Sequence, residues 1–142
     1  VDMYHIGSTS VPSVEFAKPI IDILVVVKDI QLVDSYSPRM DEVGYEGKGE
    51  NGISGRRYFQ KGGNTRTHHV HVFETRSSEI QAHLNFKNFL LAHPSEAQAY
   101  GRLKQALANT YPHEHEKYQE GKQPFVCELA KKANEWATHE RR

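Results

Sequence analysis

At 142 residues, with 25% charged and 37% hydrophobic side chains, the chain is long enough to bury a core and too apolar to stay disordered. Eighteen basic residues balance eighteen acidic ones, so no footprint for extended nucleic acid or an anionic membrane surface is expected. The longest apolar run, Ile23 to Val27, falls far short of the roughly 20 residues that a membrane span needs.

The single cysteine, Cys127, has no partner for an internal disulfide, which points to a reducing, cytoplasmic setting. Its place in the helical pattern Phe125, Leu129, Ala130 predicts a small buried apolar role. No secretory signal is read. Val1 is not an initiator methionine and a motif begins almost at once, so preceding residues of the natural protein are expected to be missing.

In chain order, the first regular element is the β-branched run Ile20–Val27, bounded by Pro19 and Lys28. It predicts a strand buried on both faces near a sheet centre. Ile30, Val33, Tyr36, Met40 and Val43 follow at helical spacing, with Pro38 interrupting or splitting the helix and Gly44 closing it. A glycine-spaced stretch, Gly47 to Gly55, leads into strands over Arg56–Lys61 and Thr67–Glu74, joined by Gly62-Gly63-Asn64 as a tight hairpin turn. From about Ser78 the pattern is helical. Phe86, Phe89 and Leu90 share one face until Pro94, and Ser95 is the expected cap of a helix with Ala97, Tyr100, Leu103 and Leu107 inward. The last helix is expected from about Pro124, with Phe125, Leu129, Ala133 and Trp136 inward. Strands first and helices later predict α+β packing around one core, a single domain over 1–142.

The chemistry concentrates in His5-Ile6-Gly7-Ser8-Thr9-Ser10 and in Asp22, which thirteen residues, Thr9 through Ile21, separate from Ser8. A Gly-Ser turn brings backbone N–H groups and hydroxyls close to an anion. A strand carboxylate at the same mouth can hold a divalent metal that bridges phosphates. This spacing resembles the signature of the nucleotidyltransferase superfamily. That signature places a second acid two residues on, where this chain has Leu24.

The chain also resembles the GrpB family. The resemblance runs through HIGSTSVP (His5–Pro12), AKPIIDILVVV (Ala17–Val27), VGYEGKGENGISGRRYF (Val43–Phe59), THHVHVF (Thr67–Phe73), Leu84–Pro94, AYGRLK (Ala99–Lys104) and Lys122–Trp136. It departs at Ser13, where the family usually has glycine, and at Lys87-Asn88, where it usually has Arg-Asp. The resemblance implies a nucleotidyltransferase-like, polymerase-beta-type mixed sheet flanked by helices, with a helical C-terminal half. Similar domains are fused to dephospho-CoA kinase in some organisms, and the family has no settled reaction.

Several residues are candidates for a site. Gly7, Ser8, Thr9 and Ser10 are expected to cradle phosphate, and Lys18 to meet it as a point charge. Arg56 and Arg57 open a strand and so point to opposite faces; the family resemblance favours Arg57 for the pocket, and leaves Arg56 to solvent. In His68–Glu74, His69 and His71 share one face and are candidate metal ligands with Asp22; half-buried, hydrogen-bonded histidines are the plainer reading. Glu74 is a candidate for the missing acid, although strand alternation puts it on the other face. His5, before the turn, is placed to orient it. His83, His93, His113, His115 and His139 read as surface or packing residues.

The leading expectation is a nucleotidyltransferase-like enzyme, with Asp22, Ser8 and His71 as catalytic residues, a nucleotide as the phosphate-bearing ligand and Mg²⁺ or Mn²⁺ as the metal. A non-catalytic binding module of the same fold is the alternative. A metal-dependent phosphoester hydrolase using the histidine strand is a third, since His69-Val70-His71-Val72 resembles a histidine triad whose last member is Phe73.

Overall fold

The computed structural model describes residues 2–15, 20–63 and 65–140. Five strands form one mixed sheet in the order β1-β2-β5-β4-β3: β1 (Asp2–Ile6), β2 (Ile21–Val27), β3 (Tyr45–Gly47), β4 (Arg57–Lys61) and β5 (His68–Glu74). The described residues also form the α-helices α1 (Gln31–Asp34), α2 (Ser37–Glu42), α3 (Ser78–Ala92), α4 (Pro94–Thr110) and α5 (His115–Glu140). Two compact units emerge, each drawn from non-contiguous stretches. The first comprises residues 1–7 and 19–81; the second comprises 8–18 and 82–142.

In the first unit, β2 runs antiparallel to β1 and parallel to β5, which pairs antiparallel with β4. Side chains alternate across each strand, so register decides which residues meet. One face carries Ile23, Val25 and Val27 of β2, Val70 and Val72 of β5, and Phe59 of β4, and these pack with Ile30, Val33 and Met40. That is the expected apolar strand and helical stripe joined in a single core. Pro38 splits the predicted helix, ending up in the first turn of α2, where a missing N–H costs nothing. The hairpin forms as expected between β4 and β5, with Gly62 at φ 104° and Gly63 at φ 56°. Asn64, expected in that turn, lies outside the described residues.

Two strands have no counterpart in the sequence reading. β1 is short and four of its five residues are exposed. β3 has three residues, two of them exposed. Neither strand buries enough apolar surface to leave a periodic signal.

The second unit is helical. Phe89 and Leu90 of α3, Ala97 and Tyr100 of α4, and Leu129 and Ala133 of α5 form one core with Val11 and Val14. Full burial of each large apolar side chain here contributes roughly 1.5–3 kcal/mol. Gly121 of α5 faces Leu107 of α4, and a Cβ built on it would lie 2.6 Å from Leu107 Cδ2. The two helices therefore approach as closely as a missing side chain permits.

Three helical expectations need correction. α5 starts at His115, not near Pro124, which lies inside it. Proline marks helix starts well, but here the packing of the flanking turns overrides its penalty of about 3 kcal/mol. Pro94, not Ser95, opens α4; His93 takes the cap position without a side-chain cap bond. Its ring instead stacks on Phe89, with centroids 4.2 Å apart. Cys127 is exposed rather than buried. It stands two residues before Leu129, about 200° around the helix, and so falls opposite the inward stripe.

Candidate active site

Opposite the apolar face of the sheet, alternation brings a different set of side chains together. Asp22 pairs across the ladder with Ile6 on β1 and with His69 on β5, and His69 pairs with Gln60 on β4. In the next rung on that face, Tyr4, Leu24, His71 and Tyr58 stand in line. The sequence reading required β2 and β5 to be neighbours for the histidines to meet Asp22, and they are.

Both imidazoles converge on one carboxylate oxygen. His69 Nδ1 lies 3.3 Å and His71 Nε2 3.2 Å from Asp22 Oδ1. On its far side His71 meets Arg56, with Nη1 3.2 Å from His71 Nδ1. A guanidinium can only donate, so His71 Nδ1 accepts and its proton sits on Nε2, directed at Asp22. The chain of donors thus runs Arg56 to His71 to Asp22. Arg56 is 6% exposed; it also donates from Nε to Glu50 O (3.1 Å) and from Nη2 to Asn51 O (2.8 Å), tying the glycine-spaced loop to the site. Tyr58 closes the floor, with its ring centroid 5.6 Å from that of His69, 5.3 Å from that of His71 and 5.0 Å from Arg56 Cζ.

Burial pushes the Asp22 carboxyl up, but the hydrogen bonds from His69 and His71, with their electrostatic attraction, outweigh it and bring the pKa down to about 2. Asp22 is therefore ionised throughout the physiological range. Its second oxygen, Oδ2, lies against Gly7, where a built Cβ would come within 2.8 Å. Gly7 has φ 73°, a conformation glycine adopts without penalty. No other residue leaves that carboxylate room. Burial lowers the Arg56 guanidinium and raises the Tyr58 phenol. His69 Nε2 is buried with no hydrogen-bond partner.

The expected site residues fall into distinct groups. Asp22, His69, His71 and Gly7 come together in the first unit. Arg57 does not join them: its fork grips Asp34, at 2.8 Å from Nε and 3.3 Å from Nη2, on the sheet's opposite face. Here the choice between the two arginines is reversed, because β4 register aligns Tyr58 with His71 and so puts Arg56 on the Asp22 side. Glu74 lies on the apolar side, as alternation predicted, accepting from Ile30 N at 2.9 Å. Leu24, in the place of the second acid, is fully buried. Lys18 lies outside the described residues.

Ser8, Thr9 and Ser10 belong to the second unit and form a single 3-10 turn, half-buried throughout. Lys104 Nζ of α4 donates to Ser8 Oγ at 2.6 Å and sits 4.9 Å from the Tyr100 ring centroid. The sequence reading missed this lysine. The signal was there: Lys104 stands on the same stripe as Ala97, Tyr100 and Leu107, a charge among inward-facing apolar positions.

Both imidazoles, expected as metal ligands, contact the Asp22 carboxylate in this arrangement. Among the described residues, no group of three or more His, Cys, Asp or Glu is arranged to hold a metal ion.

The molecule is thus an α+β protein with a five-stranded mixed sheet and one histidine-clamped carboxylate on its polar face. Its sequence matches the model of the GrpB protein family over residues 1–132, and the chain belongs to that family. It is 46% identical over 136 residues to the UPF0157 protein YqkA of Bacillus subtilis, covering 96% of this chain and 39% of that protein. The glutamate-rich protein GrpB of Alkalihalophilus pseudofirmus is 35% identical, with 90% of this chain and 76% of that protein covered. This chain therefore spans well under half the length of the Bacillus relative. A crystal structure of the conserved protein GrpB from Enterococcus faecalis superposes with a TM-score of 0.88 at 45% identity, over 94% of this chain and 79% of that one. No helix among the described residues is long and apolar enough to cross a membrane.

Proposed function

We propose that this protein binds a phosphate-bearing small molecule, a nucleotide first among the choices, through a divalent Mg²⁺ or Mn²⁺ ion held on Asp22, and that it is a binding domain rather than a nucleotidyltransferase. The observation that carries the reading is the state of the Asp22 carboxylate. Its Oδ1 takes both imidazole contacts, its pKa is about 2, and its Oδ2 faces a glycine. An ionised oxygen beside a glycine suits a hard cation. Such a cation completes its shell from phosphate oxygens and water when the protein offers only one carboxylate. His69 Nε2, buried without a partner, supports a functional rather than stabilising role, since an incompletely satisfied polar network is worse for stability than hydrocarbon.

Two-metal transfer relies on carboxylates close enough to share ions about 4 Å apart. Leu24 fills the place of the second acid. Glu46 is on the Asp22 face but three strands away, roughly 14 Å at ordinary strand spacing. Asp2 stands opposite Val26, at the other end of β2. The hydrolase reading is weaker still: His71 has both ring nitrogens engaged, and Phe73 is fully buried.

Calorimetric titration with a nucleoside triphosphate, with and without Mg²⁺ or Mn²⁺, tests this. Binding should require the metal and weaken at least tenfold in Asp22→Asn, with no pyrophosphate released. Metal-independent binding, or binding indifferent to Asp22→Asn, overturns the reading. Pyrophosphate release that disappears in Asp22→Asn would restore the transferase.

A further inference from the structure

We propose that a small cavity in the second unit, with Glu15 on one element and Arg102 on another, takes a small polar α-amino acid in its zwitterionic form. This goes beyond the reading above, because neither Asp22, a metal ion nor a phosphate takes part.

The cavity measures about 240 Å³ and is lined by Val14, Glu15, Gln98, Gly101, Arg102 and Gln105. All six belong to the second unit. Pockets for drug-sized ligands run from roughly 300 to 1,000 Å³, so this one suits a smaller occupant. Gln98, Gly101, Arg102 and Gln105 recur at i, i+3, i+4 and i+7 along α4, which puts them on one face of the helix. Glu15 follows the 3-10 turn Pro12–Val14. Glu15, Gln98, Arg102 and Gln105 are exposed, so the cavity opens to solvent.

Two backbone features that oppose stability meet here. Glu15 has φ 58° and ψ −44°, outside both the right-handed and the left-handed helical regions open to an L-residue. Such a conformation persists only where its surroundings enforce it, and residues held this way cluster at ligand sites. Gly101 is buried within α4, where alanine is the better helix former.

The charges choose the ligand. Glu15 and Arg102 line the same cavity, yet neither forms an ion pair with the other or with any other described residue. A guanidinium forks onto a carboxylate through two N–H donors, and a carboxylate accepts from an ammonium. A zwitterion satisfies both ends. A phosphate or a dicarboxylate meets Arg102 but is repelled by Glu15. The Gln98 and Gln105 carboxamides, without hydrogen-bond partners among the described residues, each offer donors and an acceptor to a hydroxyl or amide on the ligand. Val14 is the one large apolar side chain in the lining, so a bulky hydrocarbon ligand has little to pack against.

The test is a titration of the ¹⁵N-labelled full chain, in the presence of EDTA, with L-serine, L-threonine, L-asparagine and L-glutamine in turn. At least one should produce saturable shifts of the Glu15, Gln98, Gly101 and Arg102 amides. Its N-acetyl and methyl ester derivatives, each lacking one of the two charges, should bind at least tenfold more weakly. Arg102→Gln and Glu15→Gln should each weaken the fitted Kd at least tenfold. Glu15→Gly, which relieves the backbone, should lose binding while the urea midpoint moves upward, so that misfolding is not the cause. Amides that all four amino acids leave unmoved, an N-acetyl derivative that binds as well as its parent, or binding that survives either charge substitution overturns the proposal. Because the titration is free of metal, its failure is read separately from that of metal-dependent nucleotide binding at Asp22.

Discussion

The two faces of one sheet are made from alternate residues of the same strands, yet they do different work. On β2, Ile23, Val25 and Val27 enter a hydrocarbon core, while Asp22 takes two imidazoles. On β5, Val70 and Val72 go one way and His69 and His71 the other. On β4, Phe59 and Tyr58 part in the same manner. The apolar face has nothing to offer a ligand and much to offer stability. The polar face leaves a buried acceptor without a partner, which costs stability, and holds a carboxylate ionised through two imidazole contacts that outweigh its burial. The difference teaches that residues can be sorted by strand parity before any chemistry is assigned.

The sharpest way to break the comparison is to cut into the apolar face. Phe59→Ala should destabilise the protein by about 3–5 kcal/mol, the range for removing a buried aromatic ring. Urea denaturation measures it. Metal-dependent nucleotide binding by the remaining folded fraction should be unchanged, because Phe59 points away from Asp22. A matching loss of intrinsic affinity would mean that the faces are not independent.

Acid titration sharpens the comparison from the polar side. The folded pKa of Asp22 is about 2 against an ordinary 3.8, so its contribution is present above pH 4 and lost as pH falls toward 2. The difference of nearly two units amounts to about 2 kcal/mol. Wild-type stability, followed by urea denaturation at a series of pH values, should fall through this window by about that much more than Asp22→Asn, whose side chain does not ionise. Parallel curves for the two proteins would show that the histidines do not hold the carboxylate ionised.

How much of this was legible beforehand follows the same division. The strand was read from the β-branched run Ile20–Val27, although burial on both faces was expected, and the helical stripe from its period, although Tyr36 and Val43 of that stripe are exposed. Parity also put His69 with His71 and set Glu74 apart. What parity could not supply was register between strands. Without the pairing of Tyr58 with His71, nothing in the strand showed which of Arg56 and Arg57 stands on the Asp22 side. Nor could a single sequence show that both histidines would meet the same oxygen of Asp22. Pattern located Cys127 and Pro124, but assigned them by residue type, where helix phase and packing decide.

Arg56→Lys probes the link between the polar face and the glycine-spaced loop. Lysine keeps the charge but cannot make three bonds in a fixed fork, so a loss of about 1–2 kcal/mol is expected. Two further readouts separate positioning from bulk. Amide hydrogen exchange over residues 49–55 should quicken, since Glu50 O and Asn51 O lose their donors. The ¹⁵N spectrum of His71, which should report a proton on Nε2 in the wild type, should move toward a mixture of tautomers. An unchanged spectrum would show that Arg56 does not set the His71 proton.

Arg57→Ala is the smallest effect and the most telling control. Arg57 was the arginine favoured for the ligand, and it differs from Arg56 by one residue in sequence and one face of the sheet in space. Its pair with Asp34 joins an exposed carboxylate to a half-buried guanidinium, where solvent screens the attraction and ordering both side chains offsets it. Denaturation curves of Arg57→Ala and wild type should therefore coincide. Nucleotide affinity with Mg²⁺ should also be unchanged, because the guanidinium stands behind the sheet from Asp22. If affinity fell while Arg56→Lys left it intact, the ligand would lie on the Arg57 side, and the carboxylate clamped by His69 and His71 would be a structural network only.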